Sequence, residues 1–144
     1  MPNIYGKGFK AKATKLHSII IRSQGRCESC GFECNCTDKF KHTVCPMQAA
    51  HIEGRKASAT RTLLINAYNL CASCHARYTD KPLTFSRFVT TTWAQEYREQ
   101  LLKMSNTMTK VNWADRYKEL KALEARLKQG ETLEDLKREE AVNL

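Results

Sequence analysis

Two Cys-x-x-Cys pairs constrain the fold of this chain more than any other feature of its sequence. Cys27 and Cys30 form the first pair, Cys71 and Cys74 form the second, and residues 31–70 lie between them. A Cys-x-x-Cys turn brings two thiolates to one metal ion, and structural zinc takes four sulfur or nitrogen ligands in a tetrahedron. The two pairs therefore predict one zinc ion that ties two distant segments together. Free buried cysteines are the alternative.

The other cysteines do not complete a disulfide framework. The 144-residue chain has 7 cysteines, and an odd number cannot pair completely within one chain. A Cys-x-Cys-x5-His-x2-Cys run could hold a second zinc ion, or its members are spare thiols in an inserted hairpin. The run consists of Cys34, Cys36, His42 and Cys45.

In the first half of the chain, hydrophobic periodicity predicts helices around short strands. Residues 1–13 are rich in glycine and lysine and predict a flexible basic arm. An apolar stripe predicts a helix from Thr14 to Gln24, with Thr14 as the cap of its start and Gly25 as its end. Turns and short strands are expected over residues 27–47 and a further strand over "MQAAHIEG", before a helix that starts near Ala72.

Residues 83–144 are predicted to form a helical C-terminal extension. Apolar residues recur at helical spacing over Thr84–Lys103 and again over Asn112–Gln129. Thr132 resembles the cap of a last, short helix. The aromatic stripes of these helices are interpreted as core contacts rather than base-stacking platforms. The expected fold class is α+β, mostly helical.

The net charge of the chain favours a polyanionic partner. The formal charge is +9. Residues 1–90 hold 14 Lys and Arg against 5 Asp and Glu, whereas residues 91–144 hold 10 of each. The excess therefore lies in the half that holds the cysteines, which favours nucleic acid binding, with a solvated basic surface as the alternative.

Neither a membrane span nor a secretory signal is expected. The sequence has no run of about 18 apolar residues, and its first residues lack an apolar stretch followed by a small-residue cleavage site. We therefore expect a cytoplasmic protein.

Three segments together resemble the HNH endonucleases of the ββα-metal superfamily. They are "CESCG", "AAHI" and the Asn-x4-Cys-x-x-Cys-His pattern of "NAYNLCASCH". The resemblance covers about Lys15 to Asp80, and "SNTMTKVNW" is loosely similar to small phage-encoded members. It implies a ββα-metal core, stapled by a structural zinc, in a nuclease domain over residues 14–82. It also implies a host-cell cytoplasmic setting.

The resemblance assigns catalytic roles to three residues. His51 matches the general base, Asn66 the family's asparagine and His75 the ligand of a catalytic divalent cation such as Mg²⁺, Mn²⁺ or Ni²⁺. Asn69 is the rival for the asparagine role. Histidine suits proton abstraction at neutral pH, and an asparagine amide can hold the loop that carries the base. The implied activity is metal-dependent hydrolysis of double-stranded DNA.

One position departs from the family pattern. Ala50 stands where the family usually has a second metal ligand, Asp or His, directly before the base histidine. The cation would then depend on His75, with Asn66, Gln48 or Glu53 as candidate helpers. This departure favours the alternative of a zinc-containing protein without catalysis, which binds DNA or serves phage packaging or assembly.

Basic residues flank the proposed site. They are Arg55, Lys56, Arg61 and Arg77. Contacts with DNA phosphates are the functional interpretation and solvated loop charges are the alternative. His17 and His42 show no partner pattern and are interpreted as structural or surface residues. The amphipathic C-terminal helices could also support a homodimer or a packaging partner.

Overall fold

The computed structural model describes residues 7–34, 36, 39–40, 46–54, 57–108 and 110–144. Within them the fold is α+β and mostly helical, as predicted. The elements are α1 (Lys7–Arg22), β1 (Met47–His51), a 3-10 turn (Leu64–Asn66), β2 (Ala67–Cys71), α2 (Ala72–Asp80), α3 (Pro82–Thr92), α4 (Gln95–Ser105), α5 (Trp113–Lys128) and α6 (Leu133–Asn143).

The first helix begins earlier than predicted. It starts at Lys7, so the arm expected over residues 1–13 is helical from that residue onward, and residues 1–6 lie outside the described residues. Thr14 is not a cap, because its hydroxyl donates to the Lys10 carbonyl inside the helix at 2.7 Å. The longer helix extends the buried stripe back to Ala13 and lets Phe9 pack against the core. After α1, Gly25 turns the chain with a φ of 69°.

The two strands pair antiparallel and lead directly into α2. Met47 lies opposite Cys71 and His51 opposite Ala67. The strand expected in "MQAAHIEG" and the helix expected near Ala72 are confirmed. β2 is buried along its whole length, so it lacks the polar alternation by which a strand is usually recognised.

The helix expected over Thr84–Lys103 is two helices. The chain breaks at Trp93, which is extended with φ −88° and ψ 134°. The indole Nε1 of Trp93 donates to the Ile65 carbonyl at 2.9 Å in the buried core. This tertiary anchor overrides a continuous helical periodicity.

The last two helices start where the sequence predicts. Asn112 accepts from the Asp115 N–H to cap α5, and Thr132 accepts from the Asp135 N–H to cap α6. These are ordinary N-cap hydrogen bonds, which satisfy backbone donors that a helix start leaves without partners.

Two hydrophobic clusters lie on the two sides of the strand pair. One packs Tyr68 and Leu70 of β2 against the aromatic residues of α2, α3 and α4. The other packs α1 against α5 and α6, with Leu64 and Ala67 between them. The C-terminal helices therefore complete the core of the half that holds the cysteines. In the part of the chain that the structure describes, no helix has the length and apolar character of a membrane span.

Candidate functional site

The four cysteines of the two Cys-x-x-Cys pairs form one cluster. The sulfur atoms of Cys27, Cys30, Cys71 and Cys74 all lie within 4.8 Å of one another. The Cys30 and Cys71 sulfurs are 3.7 Å apart. Tetrahedral zinc with bonds of about 2.3 Å places its sulfur ligands about 3.8 Å apart. The cluster therefore fits a zinc ion.

A tight turn and a helix start present the cysteine pairs. The Cys27 N–H donates to the Phe32 carbonyl at 2.8 Å, and the Gly31 N–H donates to the Cys27 carbonyl at 3.0 Å. Gly31 has a φ of 80°, which a residue with a side chain adopts at a cost. Cys71 ends β2, and Cys74 lies in the first turn of α2. A metal ion in the cluster would tie the chain after α1 to the β2–α2 junction.

Asn69 fastens the first cysteine turn to β2. Its side-chain Nδ2 donates to the Arg26 carbonyl at 2.9 Å. Its backbone N–H donates to the Glu28 carboxylate at 2.6 Å, and its carbonyl accepts from the Glu28 N–H at 2.8 Å. Asn69, the rival for the catalytic asparagine, therefore holds the cysteine cluster together.

The surroundings of two thiols in the cluster shift their pKa values in opposite directions. Burial raises the pKa of the Cys27 thiol, but backbone N–H groups that donate to its sulfur bring this pKa down to about 6. Those N–H groups belong to Cys30, Cys71 and Ser29. Burial, followed by the neighbouring thiols, raises the pKa of Cys74 to about 12. Zinc would convert all four to thiolates and release the remaining protons.

The second zinc site stays a prediction. Cys34 is buried, and its sulfur lies 3.4 Å from the Lys39 Nζ. Cys36 is partly buried, whereas His42 and Cys45 lie outside the described residues. Among the residues that the structure describes, the four-cysteine cluster is the one group of three or more candidate ligands within reach of a single ion.

His51 and His75 line one small cavity beside the cluster. The cavity measures about 160 Å³. His51 ends β1, and His75 follows Cys74 in α2. Its lining consists of Ala50, His51, His75, Tyr78, Thr79 and Phe85. Two of the three residues that the sequence marks as catalytic therefore meet at one surface.

A backbone hydrogen bond fixes the tautomer of His51. Its Nε2 donates to the Arg61 carbonyl at 3.1 Å, so Nδ1 carries the lone pair. The imidazole of His17 lies against it, with 5.4 Å between ring centroids. His17 is fully buried and its Nε2 donates to the Leu63 carbonyl at 2.9 Å. Its structural interpretation is thus confirmed, although nothing in its sequence context indicates this contact with His51.

Asn66 holds the loop that follows His51. Its Oδ1 accepts from the Glu53 N–H at 2.7 Å, and its Nδ2 donates to the carbonyls of Glu53 at 3.2 Å and Thr60 at 2.9 Å. The side chain is fully buried. Because its amide is engaged by backbone, Asn66 acts on the loop and not as a ligand of a cation.

His75 is oriented by Gln48 of β1. The Nδ1 of His75 donates to the Gln48 Oε1, so Nε2 is the nitrogen that can ligate a cation. An outer partner of this kind commonly sets the tautomer and orientation of a ligating histidine. The strand that carries the proposed base therefore also positions the proposed ligand.

Two of the four basic candidates can be placed. Arg61 donates from Nε to the Thr14 hydroxyl of α1 at 2.9 Å. Arg77 is exposed, and its guanidinium lies 4.9 Å from the centroid of the Tyr78 ring. Arg55 and Lys56 lie outside the described residues.

Fold and site together define an α+β, mostly helical protein with a four-cysteine cluster that could hold a metal ion such as zinc. Comparisons with protein-family models, curated proteins and solved structures return no match for the chain. Function is therefore inferred from the cluster and the adjoining cavity.

Proposed function

We propose that this protein is a metal-dependent DNA endonuclease of the HNH type, in which His51 is the general base. The observation that carries the proposal is the shared cavity of His51 and His75. The order of two antiparallel strands followed by a helix also agrees with the ββα core that the sequence resemblance implies. Double-stranded DNA is the substrate.

His51 has the proton arrangement that a base needs. The Arg61 carbonyl holds the proton on Nε2, so Nδ1 is the nitrogen that takes a proton from the attacking water. A positioned base contributes about 10²–10⁴-fold to a hydrolysis rate. Asn66 supports this geometry, because its amide fixes the loop that follows His51.

His75 would hold the catalytic cation through Nε2. A divalent ion such as Mg²⁺, Mn²⁺ or Ni²⁺ supplies charge neutralisation at the phosphate and at the leaving oxygen. Among the residues that the structure describes, the cavity lining offers the nitrogen of His75 and no carboxylate. Water and DNA phosphate would then supply the other ligands of the cation.

The four-cysteine cluster has a structural role in this proposal. Closed four-thiolate zinc sites leave no open position for a substrate. Cys74 lies directly before His75, so zinc would fix the start of the helix that presents the cation ligand.

Ala50 supports a second candidate, a zinc-containing protein that binds DNA or serves phage packaging or assembly without cutting DNA. Ala50 is buried and lines the cavity with a methyl group, where a second ligand is expected. The basic excess in residues 1–90 would serve this protein equally well. A homodimer or a packaging partner belongs to this candidate, and either candidate acts in the cytoplasm of the host cell.

A plasmid-nicking assay tests the proposal. Supercoiled plasmid is incubated with the protein in chelator alone and with added Mg²⁺, Mn²⁺ or Ni²⁺. We expect relaxed or linear product only with a divalent ion. Intact plasmid under every condition, with the protein still bound to it, would favour the non-catalytic candidate.

A further inference from the structure

One side of α1 is basic and carries no acid. The helix has the sequence KGFKAKATKLHSIIIR. Its buried face packs through Ala13, Leu16 and Ile20 into the cluster shared with α5 and α6. Lys7, Lys12 and Lys15 are exposed, and we call these three the α1 basic face.

Basic residues on the C-terminal helices, unlike those of α1, form ion pairs with neighbouring carboxylates. Arg126 pairs with Glu131 and Glu139 at 2.7 Å, and Lys121 lies 3.5 Å from Glu124. Within the described ranges, by contrast, no ion pair involves a lysine of α1. The positive potential of the α1 basic face is therefore not cancelled by neighbouring carboxylates.

We propose that the α1 basic face binds the phosphate backbone of double-stranded DNA. The inference rests on the proposed DNA substrate and adds the surface that holds it. A helix of 16 residues is about 24 Å long, which is about seven base-pair steps of a duplex. Because α1 is packed against the core, its lysines are held on a rigid element before DNA arrives.

Another side of α1 contacts the cavity residue His51 and the basic residue Arg61. The Thr14 hydroxyl accepts from Arg61 at 2.9 Å, and the His17 ring lies 5.4 Å from the His51 ring. The α1 basic face therefore belongs to the same helix that contacts the proposed base.

Charge and polarity favour DNA over an anionic membrane. A helix that lies on a membrane inserts an apolar face beneath its basic residues, but the apolar face of α1 is buried in the protein. The large apolar side chains that are exposed among the described residues lie outside α1. They are Phe32, Leu83, Leu102, Met108 and Val142.

The test compares two double variants of equal charge change. Lys12→Ala with Lys15→Ala alters the α1 basic face. Lys118→Ala with Lys121→Ala alters exposed lysines on α5, a helix that also carries acids. Alanine is the best helix former, so both variants should fold, which circular dichroism and zinc content verify.

The readout is the affinity for a labelled DNA duplex over a range of salt concentrations, without added divalent ions so that no cleavage interferes.

Each lost phosphate contact lowers the slope of log affinity against log salt by about 0.9. We expect the α1 variant to lose about 1.8 from this slope. Between about 50 and 200 mM salt its affinity then falls roughly twelvefold less than that of the wild type. The α5 variant should keep the wild-type slope. Equal slopes for the two variants, or an α1 variant that loses affinity for anionic phospholipid vesicles but not for DNA, would overturn the inference.

This result is independent of catalysis. A protein that binds duplex through α1 but never cuts it disproves the nuclease and leaves the α1 basic face in place. A protein that cuts DNA while both variants keep the wild-type slope disproves the α1 basic face alone.

Discussion

His17 and His51 lie ring to ring, and the structure separates their roles by burial. Burial, followed by the charge of His51, lowers the pKa of His17 from 6.5 to about 3. The folded state therefore keeps His17 neutral, while the unfolded chain protonates it below its ordinary pKa. Its contribution to stability is complete above pH 6.5 and is lost as the pH falls towards 3.

We predict that His17→Phe reduces the acid sensitivity of the fold. With each pKa unit equal to about 1.4 kcal/mol, His17 removes about 2 kcal/mol of stability by pH 5. Urea unfolding at pH 7 and pH 5 measures this loss, with zinc held constant. The wild type should lose more stability than His17→Phe over this interval, and parallel losses would contradict the assignment.

Two buried asparagines of one segment are predicted to fail in different ways. Asn66→Ala frees the loop after His51 and should reduce DNA cleavage while zinc stays bound. Asn69→Ala loosens the Arg26 turn and should speed zinc loss to a chelator. Asn66→Ala removes the side-chain partner of the Glu53 N–H and of the Glu53 and Thr60 carbonyls, and Asn69→Ala removes that of the Arg26 carbonyl, at about 1–3 kcal/mol per buried group. Cleavage and zinc release are measured on both variants. We expect Asn66→Ala to show the larger loss of cleavage and Asn69→Ala to show the faster loss of zinc.

At this scale the sequence identifies the residues with recognisable spacing. The four cysteines follow from their spacing, and His51, Asn66 and His75 follow from the resemblance to the HNH family. The structure brings the cysteines together in one cluster and both histidines to one cavity. The partner of His51 could not be predicted. His17 lies in a Leu-Ile stripe, and its contact with His51 depends on how α1 packs on β1.

At the scale of elements, a partly buried ion pair connects α5 and α6 to the segment before β2. Glu140 accepts from the Ile65 N–H at 3.1 Å and from the Arg116 Nη2 at 3.2 Å. Arg116 also donates to the Thr62 carbonyl at 2.6 Å. Burial raises the pKa of Glu140, as expected for a carboxylate removed from water.

We predict that Glu140→Ala destabilises the fold by about 2–3 kcal/mol, because the Ile65 N–H loses its acceptor and Arg116 loses one of its two carboxylate partners. Glu139→Ala is the matched control. Glu139 pairs with Arg126 at the surface, where such pairs contribute about 0–1 kcal/mol. Chemical unfolding measures the free energy of unfolding of both variants. A similarly small loss for both would contradict the stabilising role of the Glu140–Arg116 pair.

The boundaries of elements follow from the sequence only where local signals decide them. The cap at Thr132 and the helix start near Asn112 depend on local signals, and both are predicted from the sequence. The break at Trp93 depends on a hydrogen bond to Ile65, which is distant in sequence. The start of α1 at Lys7 depends on packing against α5, for which residues 7–13 carry only a weak periodic signal.

At the scale of the molecule, the four-cysteine cluster connects the chain after α1 to the β2–α2 junction. We predict about one equivalent of zinc in protein purified without added zinc. Cys71→Ser should lose zinc and unfold, because a metal that ties distant segments contributes to folding directly. Cys36→Ser is the control, since Cys36 is outside the cluster. A cooperatively folded, zinc-free wild type would disprove the site.

Removal of the His51 imidazole tests the proposed nuclease activity most directly. The measurement is the rate of plasmid cleavage by the wild type and by His51→Ala, with zinc content and duplex affinity determined on the same samples. We predict that His51→Ala lowers the rate of cleavage by about 10²–10⁴-fold, while its zinc content and its affinity for duplex DNA stay those of the wild type. Equal cleavage by the two proteins would show that His51 is not the base.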